Sequence, residues 1–221
     1  MPKKNIPLAM SEPFIDNAIY NFIKQLPKNI KILDIATGQG YISYYLNKKG
    51  FKNIYTADIN PKQFKLNKKQ FHFQKVNANQ ILPYKNAEFD IIISIETIEH
   101  LENPHHFLAE INRILKPKGT FLLTTPNVQS IISRTFFLFT GQLAFHIQRD
   151  YDLTGHITIL PESSLFRFTG KNGFKLINKT YNCFYLPILK LRFRQKIFLN
   201  SFFGWISIMK FKKTSQSLIQ E

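Results

Sequence analysis

Five short apolar runs punctuate the first part of this 221-residue chain, at Lys31–Ala36, Asn53–Ile59, Phe71–Asn77, Phe89–Ile95 and Thr120–Thr125. Stretches with helical spacing of apolar residues lie between most of them, at Tyr41–Lys49, Pro61–Gln70 and Pro104–Leu115. Strands that alternate with helices run parallel, because each helix carries the chain back to the end of the sheet where it started. The helices then cover both faces. The run "DIIISI" is almost wholly apolar, as a central strand covered on both sides should be. The pattern predicts an α/β fold, a three-layer sandwich around a mostly parallel sheet.

The flanking segments extend this scheme. Ser11–Leu26 places Phe14, Ile15, Ala18, Ile19, Phe22, Ile23 and Leu26 at helical spacing, with Ser11 or Glu12 near its start and Pro27 after its end. Asn103 is suited to cap the helix at Pro104–Leu115, and Pro117 and Gly119 end it. Val128–Phe145 reads as helical, Glu162–Lys171 as a helix and Phe174–Tyr181 as a strand. Residues 1–181 thus form the main domain, and 182–221 an aromatic, basic appendage that does not resemble a core strand.

The net charge is +16, and its distribution is uneven. No acid occurs between Ser163 and Gln220, a span with eleven basic residues, and none between Ile59 and Ala87, where six lysines lie. Such fields attract phosphate, on lipid headgroups or nucleic acid, unless they are merely solvated faces. The single cysteine, Cys183, allows no internal disulfide and suits a reducing, cytoplasmic setting. The start, "MPKKNIPLAMSEPF", lacks the apolar core of a secretory signal.

The first strand ends in "DIATGQG", Asp34 to Gly40, and the second in Asp58, 24 residues later. Ligands of open parallel sheets sit at these carboxyl ends. A carboxylate after the second strand can accept from both hydroxyls of a ribose. A dinucleotide turn places glycines, not an acid, beside the pyrophosphate, so Asp34 argues against a nicotinamide enzyme. An acid there suits a cationic ligand. S-adenosylmethionine, with its sulfonium, amino group and ribose, matches both acids.

Four blocks in order, Lys31–Leu46, Tyr55–Asn60, "FDIIISIETIEHLENP" and "INRILKPKGTFLLTTPN", resemble the class I S-adenosylmethionine-dependent methyltransferases. The resemblance covers about Lys31 to Asn127 and more weakly reaches Tyr181. It implies a seven-stranded Rossmann-like sheet and methyl transfer from S-adenosylmethionine. By family position Asp34, Ala36, Gly38 and Gly40 hold the methionine moiety, with Ala36 where a glycine is usual. Asp58 holds the ribose, and Ile59 packs on the adenine. Asn77 either accepts from the adenine amine or forms a turn.

Past the fourth strand, "SIETIEHLENP" sets Glu96, Glu99 and His100 where the donor methyl would point, and His156 in "DLTGHITIL" can fold back to join them. An oxygen acceptor must lose a proton, and His100 is suited to take it. The Glu-x-x-Glu-His spacing with a distant histidine also resembles metal-using branches, the small-RNA 2′-O-methyltransferases and ubiquinone-pathway O-methyltransferases. There a divalent ion such as Mg²⁺ or Mn²⁺ holds the acceptor. A positioning role for Glu99, His100 and His156 is the third option, and no metal is expected as the first choice. His105 and His106 read as solvated, while His72 and His146 carry no motif.

Ser130–His146 brings Phe136, Phe137, Phe139 and Phe145 either to an apolar acceptor pocket, as part of a lid over about 128–160, or into a plain buried helix. In the appendage, Phe198, Leu199, Phe202, Phe203, Trp205, Ile206 and Met209 would share one side of a helix. Flanked by Arg192, Arg194, Lys196, Lys210, Lys212 and Lys213, that helix would lie on an anionic membrane through 190–213. The alternatives are packing on its own domain, a dimer contact, or nucleic acid. The sequence thus predicts O-methylation of a small-molecule, sugar (glycan) or lipid-linked acceptor at the inner face of a membrane. An RNA 2′-O-methyltransferase and a non-catalytic binding module with this fold are the rivals.

Overall fold

A computed structural model describes residues 7, 14–148, 151–152, 155–186, 189–194, 197 and 199–214. Ser11, Glu12, Lys196 and Phe198, named above, lie outside these. The elements run α1 (Ile15–Ile23), β1 (Ile32–Ile35), α2 (Tyr41–Lys48), β2 (Ile54–Asp58), β3 (Phe73–Lys75), β4 (Phe89–Ile95), α3 (Pro104–Ile114), β5 (Leu115–Pro126), α4 (Ile131–Thr140), α5 (Glu162–Lys171), β6 (Phe174–Tyr181), β7 (Phe184–Leu186), β8 (Leu191–Phe193) and β9 (Ile206–Lys213). One turn of 3₁₀ helix, Ile98–His100, follows β4.

Seven strands form the main sheet in the order β3-β2-β1-β4-β5-β9-β6, and β7 and β8 pair separately as a hairpin. β1 lies parallel to both β2 and β4, and β4 parallel to β5. From β1 the chain builds outward to β2 and β3, then crosses to β4 on the other side. That reversal leaves a crevice at the carboxyl ends of β1 and β4, the general ligand position of open α/β sheets. The α/β sandwich with a seven-stranded, mostly parallel sheet is as the sequence predicts.

Two apolar clusters cover the two faces. One packs α3 and α5 against Leu33, Ile35, Ile92, Phe121 and Met209, and the other packs α1 and α2 against Ile32, Ile91, Ile93, Leu122 and Ile208. Successive residues of β4 therefore face opposite layers, which is why "DIIISI" carries no alternation. At the amino ends of the strands, Lys31 pairs with Glu88 at 2.7 Å and Lys116 with Asp90 at 2.8 Å. Asn103 caps α3 by accepting from the His106 amide at 3.0 Å.

Three expectations are corrected. The helix over Pro61–Gln70 is not formed, and the segment is a series of turns. Asn60 Oδ1 accepts from the Lys62 amide and Asn67 Oδ1 from the Lys69 and Gln70 amides. These asparagine turns compete with helical hydrogen bonding. The helix over Val128–Phe145 is shorter, Ile131–Thr140, and Phe137 and Phe139 face solvent instead of a pocket. The third correction is the largest. The helix expected to carry Leu199–Met209 is absent, and residues 206–213 form β9, antiparallel to both β5 and β6. Ile206, Ile208, Met209 and Phe211 are fully buried there. They are core residues and unavailable to a membrane.

A polar knot locks this last strand in place. Glu162, at the start of α5, accepts from Tyr181 Oη (2.7 Å), Ser207 Oγ (2.9 Å) and Lys179 Nζ (2.6 Å). Asn127, just past β5, donates to the carbonyls of Ser201 and Gly204, both at 2.8 Å. A Cβ on Gly204 would lie 2.3 Å from the Tyr181 ring, so only glycine allows the chain to pass there.

Candidate functional site

The turn after β1 is built from left-handed backbone. Ala36, Gly38 and Gly40 have φ of 57°, 55° and 90°, and Gly40 opens α2. Glycine adopts this region freely, whereas alanine at position 36 costs about 1–2 kcal/mol. Asp34, only 2% exposed, braces the turn from beneath. Its Oδ2 accepts from Thr37 Oγ1 and, at 2.6 Å, from Ser43 Oγ on α2. Burial pushes the Asp34 carboxyl up to about 6, against the lowering effect of the Ser43 and Thr37 hydroxyls. A Cβ on Gly40 would press on Leu66 and Phe64, so the 61–70 turns pack directly on this loop.

Asp58 ends β2 beside it. Its Oδ2 accepts from the Gly38 amide and its Oδ1 from the Asn60 amide, each at 2.8 Å. Each carboxylate oxygen has a second lone pair, so both can still accept from a ribose diol. Ile59, next in sequence, is 58% exposed, an apolar surface standing beside that carboxylate. Asn77 lies past β3, and its Oδ1 accepts from the Asn79 amide at 3.0 Å, a turn-forming bond.

These features fit S-adenosylmethionine. Two carboxylates, Asp34 and Asp58, face one turn whose left-handed backbone lets a ligand approach closely. The resemblance assigns Asp58 to the ribose and Ile59 to the adenine, and the structure sets the two side by side at the end of β2. The same resemblance assigns the loop Ala36–Gly40, with its left-handed backbone, to the methionine end.

A second cluster forms past β4. Glu96 has φ of 46°, a strained conformation for glutamate, and turns the chain sharply into the 3₁₀ turn. Glu99 is buried there, and its Oε2 accepts from Thr125 Oγ1 of β5 at 3.1 Å. Its Oε1 has no hydrogen-bond partner among the described residues. Burial, and then the nearby Glu96 charge, push the Glu99 carboxyl up to about 8.

The segment 155–160 folds back onto this turn. The amides of Ile157 and Thr158 donate to the Glu99 carbonyl at 3.0 and 2.9 Å, and Thr158 Oγ1 donates to the Leu101 carbonyl at 2.7 Å. His100 Nδ1 meets the Gly155 carbonyl at 3.0 Å, and His156 Nδ1 meets the Phe145 carbonyl at 2.7 Å. The two rings lie 4.8 Å apart, edge to face. A carbonyl oxygen can only accept, so each Nδ1 donates, and in the neutral form of each ring Nε2 is then the nitrogen with the lone pair. Donor atoms of Glu99, His100 and His156 all lie within 4.8 Å of one another.

The structure thus brings together Glu99, His100 and His156, three of the four residues singled out past the fourth strand. It adds members the sequence reading missed. His146 joins, with its ring 5.7 Å from that of His156 and its Nε2 3.1 Å from the Thr158 carbonyl. Thr125, Thr37 and Ser43 support the two acids. The paired threonines ending the apolar run "FLLTTP" were the one available signal for Thr125.

A family model for a methyltransferase domain matches residues 10–179. The ubiquinone biosynthesis O-methyltransferase of Maricaulis maris is 28% identical over 109 residues, which is 45% of this chain and 42% of that enzyme. An uncharacterised protein of Methanocaldococcus jannaschii is 31% identical over 165 residues, 69% of each chain. The chain therefore spans less than half the length of the Maricaulis enzyme. Among solved structures, an S-adenosylmethionine-dependent methyltransferase of Thermotoga maritima, described as a possible histamine N-methyltransferase, superposes with a TM-score of 0.67. It covers 91% of this chain and 90% of its own at 17% identity, a likeness of fold. With the acid-led turn after β1, Asp58 at the end of β2 and a family model that matches most of its length, the chain belongs to the class I S-adenosylmethionine-dependent methyltransferases.

Proposed function

We propose that the protein methylates an oxygen of a small, partly apolar acceptor, with His100 and His156 handling the acceptor proton. The observation that carries this reading is the imidazole pair. Each ring is held through Nδ1 by a backbone carbonyl, which makes Nε2 the basic nitrogen of each ring in its neutral form. Methyl transfer is an in-line displacement, so the protein mainly aligns donor and acceptor. A hydroxyl acceptor becomes a good nucleophile as its proton leaves, and an imidazole beside it can receive that proton. Phe145, packed on Trp205 at 4.2 Å between ring centroids, supplies apolar wall near His156. The Maricaulis relative, named for ubiquinone biosynthesis O-methylation, supports an oxygen acceptor.

A second reading has its own observation. Glu99, His100 and His156 group their donor atoms, and Glu99 Oε1 is buried without a hydrogen-bond partner among the described residues. One carboxylate and two imidazoles suit Mn²⁺ or a similar transition ion better than Ca²⁺. Bound there, a divalent ion would stabilise a deprotonated diol-like acceptor. This is also the arrangement on which metal-dependent methylation of RNA would rest.

Radiolabelled transfer from S-adenosylmethionine to catechols bearing apolar tails, and to a short RNA duplex, tests both readings. Transfer to a catechol that survives chelation is the expected result. Loss on chelation, with return on adding Mn²⁺, establishes the metal reading. Transfer to RNA alone overturns the small-molecule acceptor.

A further inference from the structure

The carboxyl edge of the sheet carries a helix that is more apolar outside than inside. α4 follows β5 after four residues, is capped by Ser130 and ends at Gly141 with φ of 69°. Ser133 is its one buried residue. Phe137, Leu138 and Phe139 are 52%, 78% and 80% exposed. Three consecutive residues sweep about 200° around a helix, so apolar side chains cover more than half of its circumference at this tip. Together they expose on the order of 400 Å² of apolar surface, the size of the largest patch on a typical monomer.

The patch continues onto the segment that leads into β9. The Ile131 amide donates to the Phe202 carbonyl, and the Arg134 guanidinium lies 6.0 Å over the Phe202 ring. Phe202 contacts Phe203 at 5.0 Å between ring centroids, and Phe203 contacts Phe184 of the β7–β8 hairpin at 5.4 Å. On and beside that hairpin, Leu189, Leu191, Ile197 and Phe202 are exposed.

Charge names the occupant. No acid occurs between residues 111 and 149 or between 163 and 220, so neither α4 nor the hairpin carries one. Arg134 on α4, and Lys190, Arg192 and Arg194 on or beside the hairpin, are all exposed. The Arg192 guanidinium lies 4.5 Å from the Tyr185 ring centroid and that of Arg194 5.0 Å from the Phe14 centroid, so both cations rest on aromatic faces at the surface. An apolar tip with exposed cations on the same two elements complements a surface that is apolar within and anionic at its boundary.

We propose that α4 and the β7–β8 hairpin form one surface that docks on an anionic lipid bilayer, with Phe137, Leu138 and Phe139 entering the interface. The docking does not depend on the methyl-transfer reading. Its consequence does: α4 springs from the strand end whose Thr125 holds Glu99, so a bilayer-dwelling acceptor would reach the site from the docked side.

Co-sedimentation of the full chain with vesicles tests the surface, using pure phosphatidylcholine against the same lipid with about 30% phosphatidylglycerol. Binding to the anionic vesicles should be about tenfold or more tighter, and should weaken between about 0.1 and 0.5 M salt. The triple variant Phe137→Ser, Leu138→Ser, Phe139→Ser should lose about tenfold of that binding while S-adenosylhomocysteine binds it as before, which shows the fold intact. Arg134→Gln with Arg192→Gln and Arg194→Gln should lose the salt-dependent part. Unchanged vesicle binding by the serine variant, or none by the wild type, overturns the proposal. So does a short RNA that binds more tightly than the vesicles and is weakened by the same serine changes. Loss of methyl transfer with vesicle binding retained bears only on the enzyme reading.

Discussion

Removal of residues 206–221 is expected to leave no cooperatively folded protein. β9 is hydrogen-bonded on both sides, to β5 and to β6, and its loss would strand β6 and open the edge of β5. Ile206, Ile208, Met209 and Phe211 are fully buried, and each such side chain contributes about 1.5–3 kcal/mol. Their sum, roughly 6–12 kcal/mol, matches the whole stability of an ordinary domain, about 5–15 kcal/mol. The strand also carries Lys210 Nζ to the Phe22 carbonyl at 2.8 Å and Lys213 Nζ to the Asn112 carbonyl at 2.6 Å, fastening α1 and α3. Circular dichroism on heating should show no sharp transition in the truncated chain. A melt like that of the full chain would mean that the tail is accessory after all.

His100→Asn is expected to lower the methyl-transfer turnover by about 10²–10⁴-fold, the usual range for loss of a general base. Asparagine is the informative replacement. Its amide can still donate to the Gly155 carbonyl that His100 Nδ1 meets, so the returning segment stays anchored. It offers no basic nitrogen. S-adenosylhomocysteine affinity should be unchanged, because His100 belongs to the acceptor end and not to the 36–40 turn. A near-normal rate in His100→Asn, with a large loss in His100→Ala, would assign the residue to positioning. His156→Asn should behave as His100→Asn does, and the double variant should cost less than the product of the two, since paired groups act as a unit.

The parts of the fold legible in the sequence are those whose physics is local or strongly patterned. β4 was readable because seven residues with almost no polar side chain fit only a strand covered on both faces. α3 was readable because Asn103 and Pro104 mark its start and Phe107, Leu108, Ile111 and Ile114 its buried side. The tail misled for a related reason. Residues 206–209 are all buried, so helix and strand templates fit equally, and only Gly204 and the branched Ile206 and Ile208 favoured a strand. Ser207, the polar residue inside this run, is buried and donates to Glu162. At the site, the acids and imidazoles were visible by type and spacing. What holds them was not: Gly155, Phe145 and Thr158 act through backbone carbonyls, which every residue has, and His146 arrives only by the fold-back of the chain.

The central claim is that the 34–40 turn and Asp58 grip one adenosyl ligand, and calorimetric titration with S-adenosylhomocysteine at two pH values tests it most directly. The cationic amino group of this ligand favours ionised Asp34. That carboxyl, held up near 6 by burial, takes a proton as the pH falls below that value. Binding should therefore be constant above pH 7 and weaken about tenfold by pH 5. Asp34→Asn should flatten this dependence, and Asp58→Ala should weaken binding about 10–100-fold at every pH, the loss of charge-assisted bonds to the ribose. A wild-type chain that gives no heat of binding at pH 7.5, or an Asp58→Ala variant that binds as tightly as the wild type, would contradict the account.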